Sequence, residues 1–433
     1  MIAAGKITSV DLVSACLERI EEREPAVQAW AHLDPELALA QARDRDSYRA
    51  AGLPIGPLHG VPVGVKDIFD TAAWPTENGT VLEAGRQPSQ DAFAVSALVR
   101  AGAVIMGKTV TTELAVYGPG KTRNPHDPSR TPGGSSSGSA AAVAAGMVPL
   151  AIGSQTNGSI IRPASFCGVV GFKPTFGRIS RSGVLFLSRF LDHVGAFART
   201  VEDVALIGDT LMAYDPADPD MTAMAPAGLA ATAAQEPPVT PSFFFVKTGA
   251  WPLIEPDAKE ALAELTDALG NTCQDFPLPD SFGEAVAMHN LIMNVDLAGA
   301  LARYAEHGAD RLSPRLNQML AAGREARAVD YMGARAWRDI FNRAFDDLFR
   351  ECDALITPAT PGEAPVGLDS TGNPAFCSLW TLCGLPAVTL PLLVGNNGMP
   401  IGVQLIGPHG DDARLLRTAR WLIESLAGDG ESV

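Results

Sequence analysis

Lysine is scarce in this chain: seven residues against 26 arginines, in 433 residues whose formal charge is −16. No Lys/Arg cluster breaks that acidity, so the basic face that a nucleic-acid binder needs is missing, and the excess acid serves solubility. Cysteine is sparse too. Cys16, Cys167, Cys273, Cys352, Cys377 and Cys383 include no C-x-x-C pair, and they read as reduced, mostly buried thiols. None of the seven histidines pairs at metal-ligand spacing. Asp11, Glu18, Glu21 and Glu22 interrupt what would be a basic-then-apolar leader, and no apolar run nears the ~20 residues of a bilayer span. The expectation is a cytoplasmic protein with neither a nucleic-acid nor a membrane partner. Internal repeats are also missing.

What is present is apolar bulk: 46% of the residues are hydrophobic, ample for a large core. Residues 8–24 read as a helix capped by Thr8 or Ser9, and 35–51 as a second. Residues 60–69 (GVPVGVKDIF) read as a buried strand, followed by a helix near 91–101 and a strand at 103–106. Residues 131–147 form a Gly/Ser loop and a small-residue helix, 148–153 a strand, and 154–164 a polar loop. Residues 214–241, rich in Pro and Ala, read as a surface linker or mobile excursion. Strand patterning resumes at 242–248, 257–350 is largely helical, and Asp353–Leu426 returns to strands before a last helix from Asp411. This alternation predicts one α/β domain with a mixed central sheet covered by helices on both faces.

Three segments offer chemistry. Lys66 lies inside an apolar strand, where desolvation lowers an ammonium's pKa and makes the neutral amine accessible as a general base; the plain alternative is a salt bridge to a carboxylate such as Asp67. Gly133-Gly134-Ser135-Ser136-Ser137-Gly138-Ser139 places amides and hydroxyls at a helix N-terminus, to bind an anion, present a serine, or simply turn. Gln155-Thr156-Asn157-Gly158-Ser159 leaves a strand, where a nucleophile and an oxyanion hole are often presented; an ordinary Asn-Gly turn is the alternative. GAVIMGKT (102–109) fits the phosphate-loop pattern formally, but Ala-Val-Ile-Met belongs in a buried strand, which leaves Lys108 a structural role. His59 and His126 read as structural or pocket-lining.

Together these segments resemble the amidase-signature family, whose pattern G-G-S-S-x-G-S followed by T-x-G-S-x-x-x-P-A falls here on Gly133–Ser139 and Thr156–Ala164. The two serines are 24 positions apart, and Lys66 precedes Ser135 by 69. GPLHGVPVGVKD (56–67), FCGVVGFKPTFGRIS (166–180), LITPATP (355–361), GLPAVTLPL (384–392) and PIGVQLIG (400–407) extend the likeness over nearly the whole chain. Its core would span about 56–205 and 353–426, with a variable, mostly helical, substrate-lining segment at about 250–350. The resemblance implies a Ser159 nucleophile, a bridging Ser135 after a cis Gly134–Ser135 bond, a terminal base Lys66, and an oxyanion hole from the amides of Thr156, Asn157, Gly158 and Ser159. It implies no metal and no organic cofactor.

The chain departs from the common Asp-Thr-Gly-Gly-Ser-Ile-Arg form at Gln155, at Asn157 and in the arginine's position. The variant resembles a malonamidase-like branch, in which the arginine three places after the nucleophile, here Arg162, holds a substrate carboxylate; a salt bridge beneath the loop is the alternative role. Gly134, Ser136, Trp380 and Cys383 complete the expected substrate contacts. The expected activity is hydrolysis of a small-molecule amide, with esterase side activity. The alternatives are a glutamine-hydrolysing subunit of a transamidation complex, or an idle binding protein on the same fold. Substrate identity, assembly as a homodimer, and Met1 as the native start stay open.

Overall fold

A computed structural model describes residues 1–428. The strands are β1 (Trp30–Leu33), β2 (Pro62–Lys66), β3 (Val104–Thr109), β4 (Leu150–Gln155), β5 (Val170–Lys173), β6 (His193–Ala198), β7 (Phe243–Lys247), β8 (Cys273–Pro277), β9 (Ala354–Pro358), β10 (Ala387–Val394) and β11 (Pro400–Ile406). They form one 11-stranded mixed sheet in the order β1-β3-β2-β4-β6-β5-β10-β11-β9-β7-β8. Helices cover both faces and bury two apolar clusters against it.

What positions the site is the parallel trio in this sheet. β2 runs parallel to both β3 and β4, and every residue of the three strands is buried. Strands sunk this deep read as continuous apolar runs, which is how they stood out in the sequence. Their carboxyl ends leave Lys66, Thr109 and Gln155 at one edge, where α/β sheets open their crevices. The segment GAVIMGKT supplies β3, so its strand character prevails over the phosphate-loop pattern.

Local chemistry sets the helix ends. Thr8 Oγ1 accepts from the Asp11 N–H at 2.9 Å and Asp11 returns a bond to the Thr8 N–H at 2.8 Å, a full capping box for the helix Ser9–Val27. The helix Ser137–Ala144 is built from small residues and packs deeply. A Cβ on its Gly138 would lie 2.2 Å from the Ala29 carbonyl oxygen and 2.4 Å from the Val110 nitrogen, so only glycine allows that approach.

Three expectations change. The polar loop at 154–164 already enters a helix, Ile161–Cys167, because its apolar residues face the core. The helical stretch 257–350 also contains β8, paired parallel to β7. Residues 214–241 are anchored rather than loose: Asp215 accepts from Ser180, Asp218 pairs with Arg181 at 2.8 Å, and Leu229 and Ala233 are buried in a short helix, Leu229–Ala233. Pro/Ala composition carries no trace of those anchors. Among the described residues no single helix is long and apolar enough to cross a membrane.

Candidate active site

Lys66 ends β2 with its side chain fully buried. Its Nζ lies 2.7 Å from Ser135 Oγ and 2.9 Å from Ser154 Oγ. Among the described residues it forms no ion pair, because Asp67 is paired with Lys108 at 3.1 Å. The salt-bridge alternative therefore belongs to Lys108, which also donates to Phe69, Pro75 and Thr76. Burial pushes Lys66 well below the usual lysine range, and the more distant charge of Asp192 only partly opposes it. Burial thus favours the uncharged amine, the form that can take a proton.

Ser135 follows a cis peptide bond from Gly134. The loop around it is gripped from both sides: the Ser135 carbonyl accepts from the Thr112 N–H at 3.2 Å, and the Gly134 carbonyl accepts from Arg162 at 2.7 Å. A Cβ at Gly134 would meet the methyls of Thr371 and Thr112 at 2.8 and 2.9 Å, so any larger residue there would have to displace them. Ser136 turns to the backbone of β4 and bonds the Ser154 carbonyl at 3.2 Å.

Gln155 shapes the next loop. Its Oε1 accepts from the N–H groups of Ile160 and Ile161 at 2.8 and 3.0 Å, and its Nε2 donates to Thr381 at 2.9 Å. This is why an amide works where an acid is common: it accepts on one side and donates on the other. His289, drawn down to about 4 by burial and so neutral, donates to the Thr156 carbonyl at 2.9 Å. Thr156 Oγ1 donates to Asp192 at 2.7 Å. With the carbonyls tied back, the N–H groups of Asn157, Gly158 and Ser159 donate to no protein acceptor among the described residues. Ser159 is 7% exposed, and its hydroxyl forms no hydrogen bond to Ser135 or Lys66.

Beside this loop opens a cavity of about 910 Å³. Its wall includes Asn157, Tyr117 and Ser378, but not Ser159, Ser135 or Lys66. The Asn157 side chain accepts from Ser378 at 2.8 Å and donates to the Tyr117 hydroxyl at 3.2 Å, so the side chain that replaces glycine is built into the wall. Arg162 lies beneath the loop, 1% exposed, and bonds Gly134, Gly372 and Thr371. It forms no salt bridge among the described residues; backbone carbonyls and a hydroxyl take the place of the acid. Trp380 and Cys383, expected at the substrate pocket, are corrected: both are fully buried, and neither lines the cavity. On the helix Ala375–Cys383 the cavity face carries Ala375 and Ser378, while Trp380 packs 5.3 Å from Phe345 in the core.

The sequence reading missed Ser154, Asp192, His289 and Tyr117, which come from separate segments and carry no local pattern. It also missed that His32, Asp67 and Glu77 bring donor atoms within 4.8 Å of one another. There the Lys108 ammonium on Asp67 already fills the role of a cation, so the donor set does not fit a metal.

A family model described as Amidase matches residues 11–416. Curated relatives include a glutamyl-tRNA(Gln) amidotransferase subunit from Chloroflexus aggregans, 35% identical over 461 residues, with 96% of this chain and 93% of the relative covered. The protein of the same name from Anaeromyxobacter sp. is 36% identical over 477 residues, covering 98% and 94%. Among solved structures, a chain from a vestigial protein complex that bears on the origins of an s-triazine catabolic enzyme superposes with TM-score 0.90 at 31% identity, covering 98% and 96%. The peptide amidase of Stenotrophomonas maltophilia superposes with TM-score 0.85 at 28% identity, covering 98% and 94%.

Proposed function

This chain belongs to the amidase family and is an amide-hydrolysing enzyme, and from that premise we propose that Ser159 attacks the substrate carbonyl with Ser135 and Lys66 as its proton relay. The observation that carries the reading is Lys66: fully buried, without an acid partner, and 2.7 Å from Ser135. The neutral amine takes the Ser135 proton while Ser135 takes that of Ser159, and the Ser159 oxygen bonds to the carbonyl carbon. The tetrahedral oxyanion is received by the free N–H groups of Asn157, Gly158 and Ser159, with Thr156 completing the turn; losing one such donor costs ~3 kcal/mol. The proton then returns from Lys66 through Ser135 to the leaving nitrogen as the C–N bond breaks. Water cleaves the acyl-enzyme by the same relay run again. No step requires a metal or an organic cofactor.

The outer link of the relay, Ser159 to Ser135, is the one not bonded in this state. Such links often tighten only with substrate in place. We read Arg162 as the clamp that holds the Gly134 carbonyl, and with it the bridging serine. The experiment is Ser159→Ala, which should lower turnover on the order of 10⁴-fold or more with the melting temperature unchanged. Retained turnover would refute the nucleophile.

A second reading, a glutamine-hydrolysing subunit in a larger complex, draws on the amidotransferase relatives and their near-full coverage. Against it stand Gln155 and Asn157 in the nucleophile loop, the latter filling space that glycine would leave open. Copurification with partner subunits would favour this second reading, and a free-standing enzyme active on small amides would exclude it. An idle binding protein would resist fluorophosphonate labelling; the intact relay predicts rapid labelling. Homodimer assembly and a cytoplasmic location remain part of the proposal.

A further inference from the structure

We propose that His289 and Thr381 are positioning residues for the oxyanion hole: by holding the carbonyls of Thr156 and Asn157 they aim the N–H groups of Asn157 and Gly158. This rests on the Ser159 reading and adds two side chains from outside the segments that carry the family pattern.

In a planar trans peptide the carbonyl of one residue and the N–H of the next point in opposite directions. A group that fixes the carbonyl therefore fixes the N–H as well. Three successive trans peptides of the nucleophile loop are held in this way. The Thr156 carbonyl accepts from His289 Nε2 at 2.9 Å, the Asn157 carbonyl from the Thr381 hydroxyl at 2.6 Å, and the Gly158 carbonyl from the Arg162 N–H at 2.9 Å. The last is an ordinary bond at the start of the helix Ile161–Cys167. The first two need side chains, since among the described residues no backbone N–H reaches either carbonyl.

The direction of each bond is set by its neighbours. Gln155 Oε1 is taken by the Ile160 and Ile161 N–H groups, so its amide nitrogen faces Thr381 and donates into that hydroxyl at 2.9 Å. Thr381 keeps one proton, which goes to Asn157. His289 is fully buried and uncharged, and a neutral imidazole has a single N–H, which the Thr156 carbonyl places on Nε2.

Both side chains reach the loop from one side. His289 lies on the helix Ala285–Ala300 and Thr381 on Ala375–Cys383, and these helices pack against each other. With their carbonyls drawn toward that pair, the Asn157 and Gly158 N–H groups point away from it. The second helix grips the loop further: Ser378 donates to Asn157 Oδ1 at 2.8 Å, and a Cβ on Gly158 would lie 3.0 Å from Pro374 Cβ and 3.1 Å from Cys377 Sγ. Donors fixed in advance are what stabilisation of a developing oxyanion requires.

The test is the rate of fluorophosphonate attachment to Ser159, in which the phosphoryl oxygen takes the oxyanion's place. Thr381→Val removes the hydroxyl and keeps the shape, and His289→Leu removes the ring donor. Each should slow attachment by roughly 10-fold or more, part of the ~10²-fold that outright loss of a donor costs. Thr381→Ser and His289→Gln keep a donor and should stay within about 3-fold of wild type. The pH midpoint of attachment should be the same in all four, because the Lys66–Ser135 contact is untouched. With any amide or ester that turns over, the loss should fall on kcat and leave KM within about 2-fold, since these donors act on the transition state. Should Thr381→Val not fold, the two His289 variants decide. The proposal falls if the donor-free variants label at the wild-type rate, or if the donor-keeping variants lose as much as the donor-free ones. Failure of the underlying nucleophile reading shows separately, as labelling that survives Ser159→Ala.

Discussion

At the scale of single residues, Lys66 and Lys108 end up differently although both lie in buried strands. Lys108 meets Asp67 and three further oxygens, and burial draws it only to about 8. Lys66 meets two serine hydroxyls and no acid, and burial pushes it well below the usual lysine range. An unpaired buried amine costs stability and is retained for what it does. Lys66→Met fills the same slot without charge, so it should lower kcat by roughly 10³-fold or more while the melting temperature holds or rises. A large loss of melting temperature would show instead that the amine is structural. Lys66 and Ser135, which the structure brings within 2.7 Å of each other, stood out in the sequence because their residue types and spacing match a family pattern. Ser154, Asp192 and His289 did not, because a partner supplied by a distant segment leaves no mark beside the residue it serves.

Among elements, the short helix Ser137–Ala144 has Ser135, the proposed bridging serine, on its N-terminal side and is wedged against the chain at Ala29 and Val110. Gly138→Ala forces a methyl into a gap of 2.2 Å against backbone. It should destabilise the protein by ~1–3 kcal/mol and lower turnover by shifting Ser135, as a thermal melt and an assay on one sample would reveal. An unchanged melt would mean that the contact yields freely. The parallel strands β2, β3 and β4 were readable from their apolar runs. The helix Ile161–Cys167 was hidden by its polar approach, and the helix Ala375–Cys383 shows why pocket residues are hard to choose from sequence. Trp380 is the larger side chain and looked like a pocket wall, yet the turn of the helix sends it to the core and leaves Ser378 at the cavity. The anchors of 214–241 are ion pairs and a small buried helix, neither of which composition reports.

For the whole molecule, buried lysines couple stability to pH. Lys173 is fully buried, donates to the Pro174 and Leu385 carbonyls, and is pushed down to about 7 by burial. An unfolded lysine titrates near ~10.4. Between those values the unfolded chain binds one more proton than the folded one. Stability therefore rises with pH above about 7, by ~1 kcal/mol per unit for such a group, and below 7 this residue adds no further slope. Lys173→Met should flatten the rise in melting temperature between pH 7 and 9, whereas parallel curves for variant and wild type would show a charged, solvated amine. The sheet and its family were legible over nearly the full length of the chain, because a core of this size imposes its pattern everywhere. The cavity was not, since its wall is assembled from loops and helix faces far apart in sequence.

Every chemical step of the proposed relay depends on an uncharged Lys66, and that state can be tested without knowing the substrate. The measurement is the rate of fluorophosphonate attachment to Ser159 as a function of pH. A rate that climbs with a single titration centred well below the usual lysine range, and that vanishes in Lys66→Met, is the predicted result. A rate flat from pH 5 to 9, or label found on a residue other than Ser159, would contradict the account.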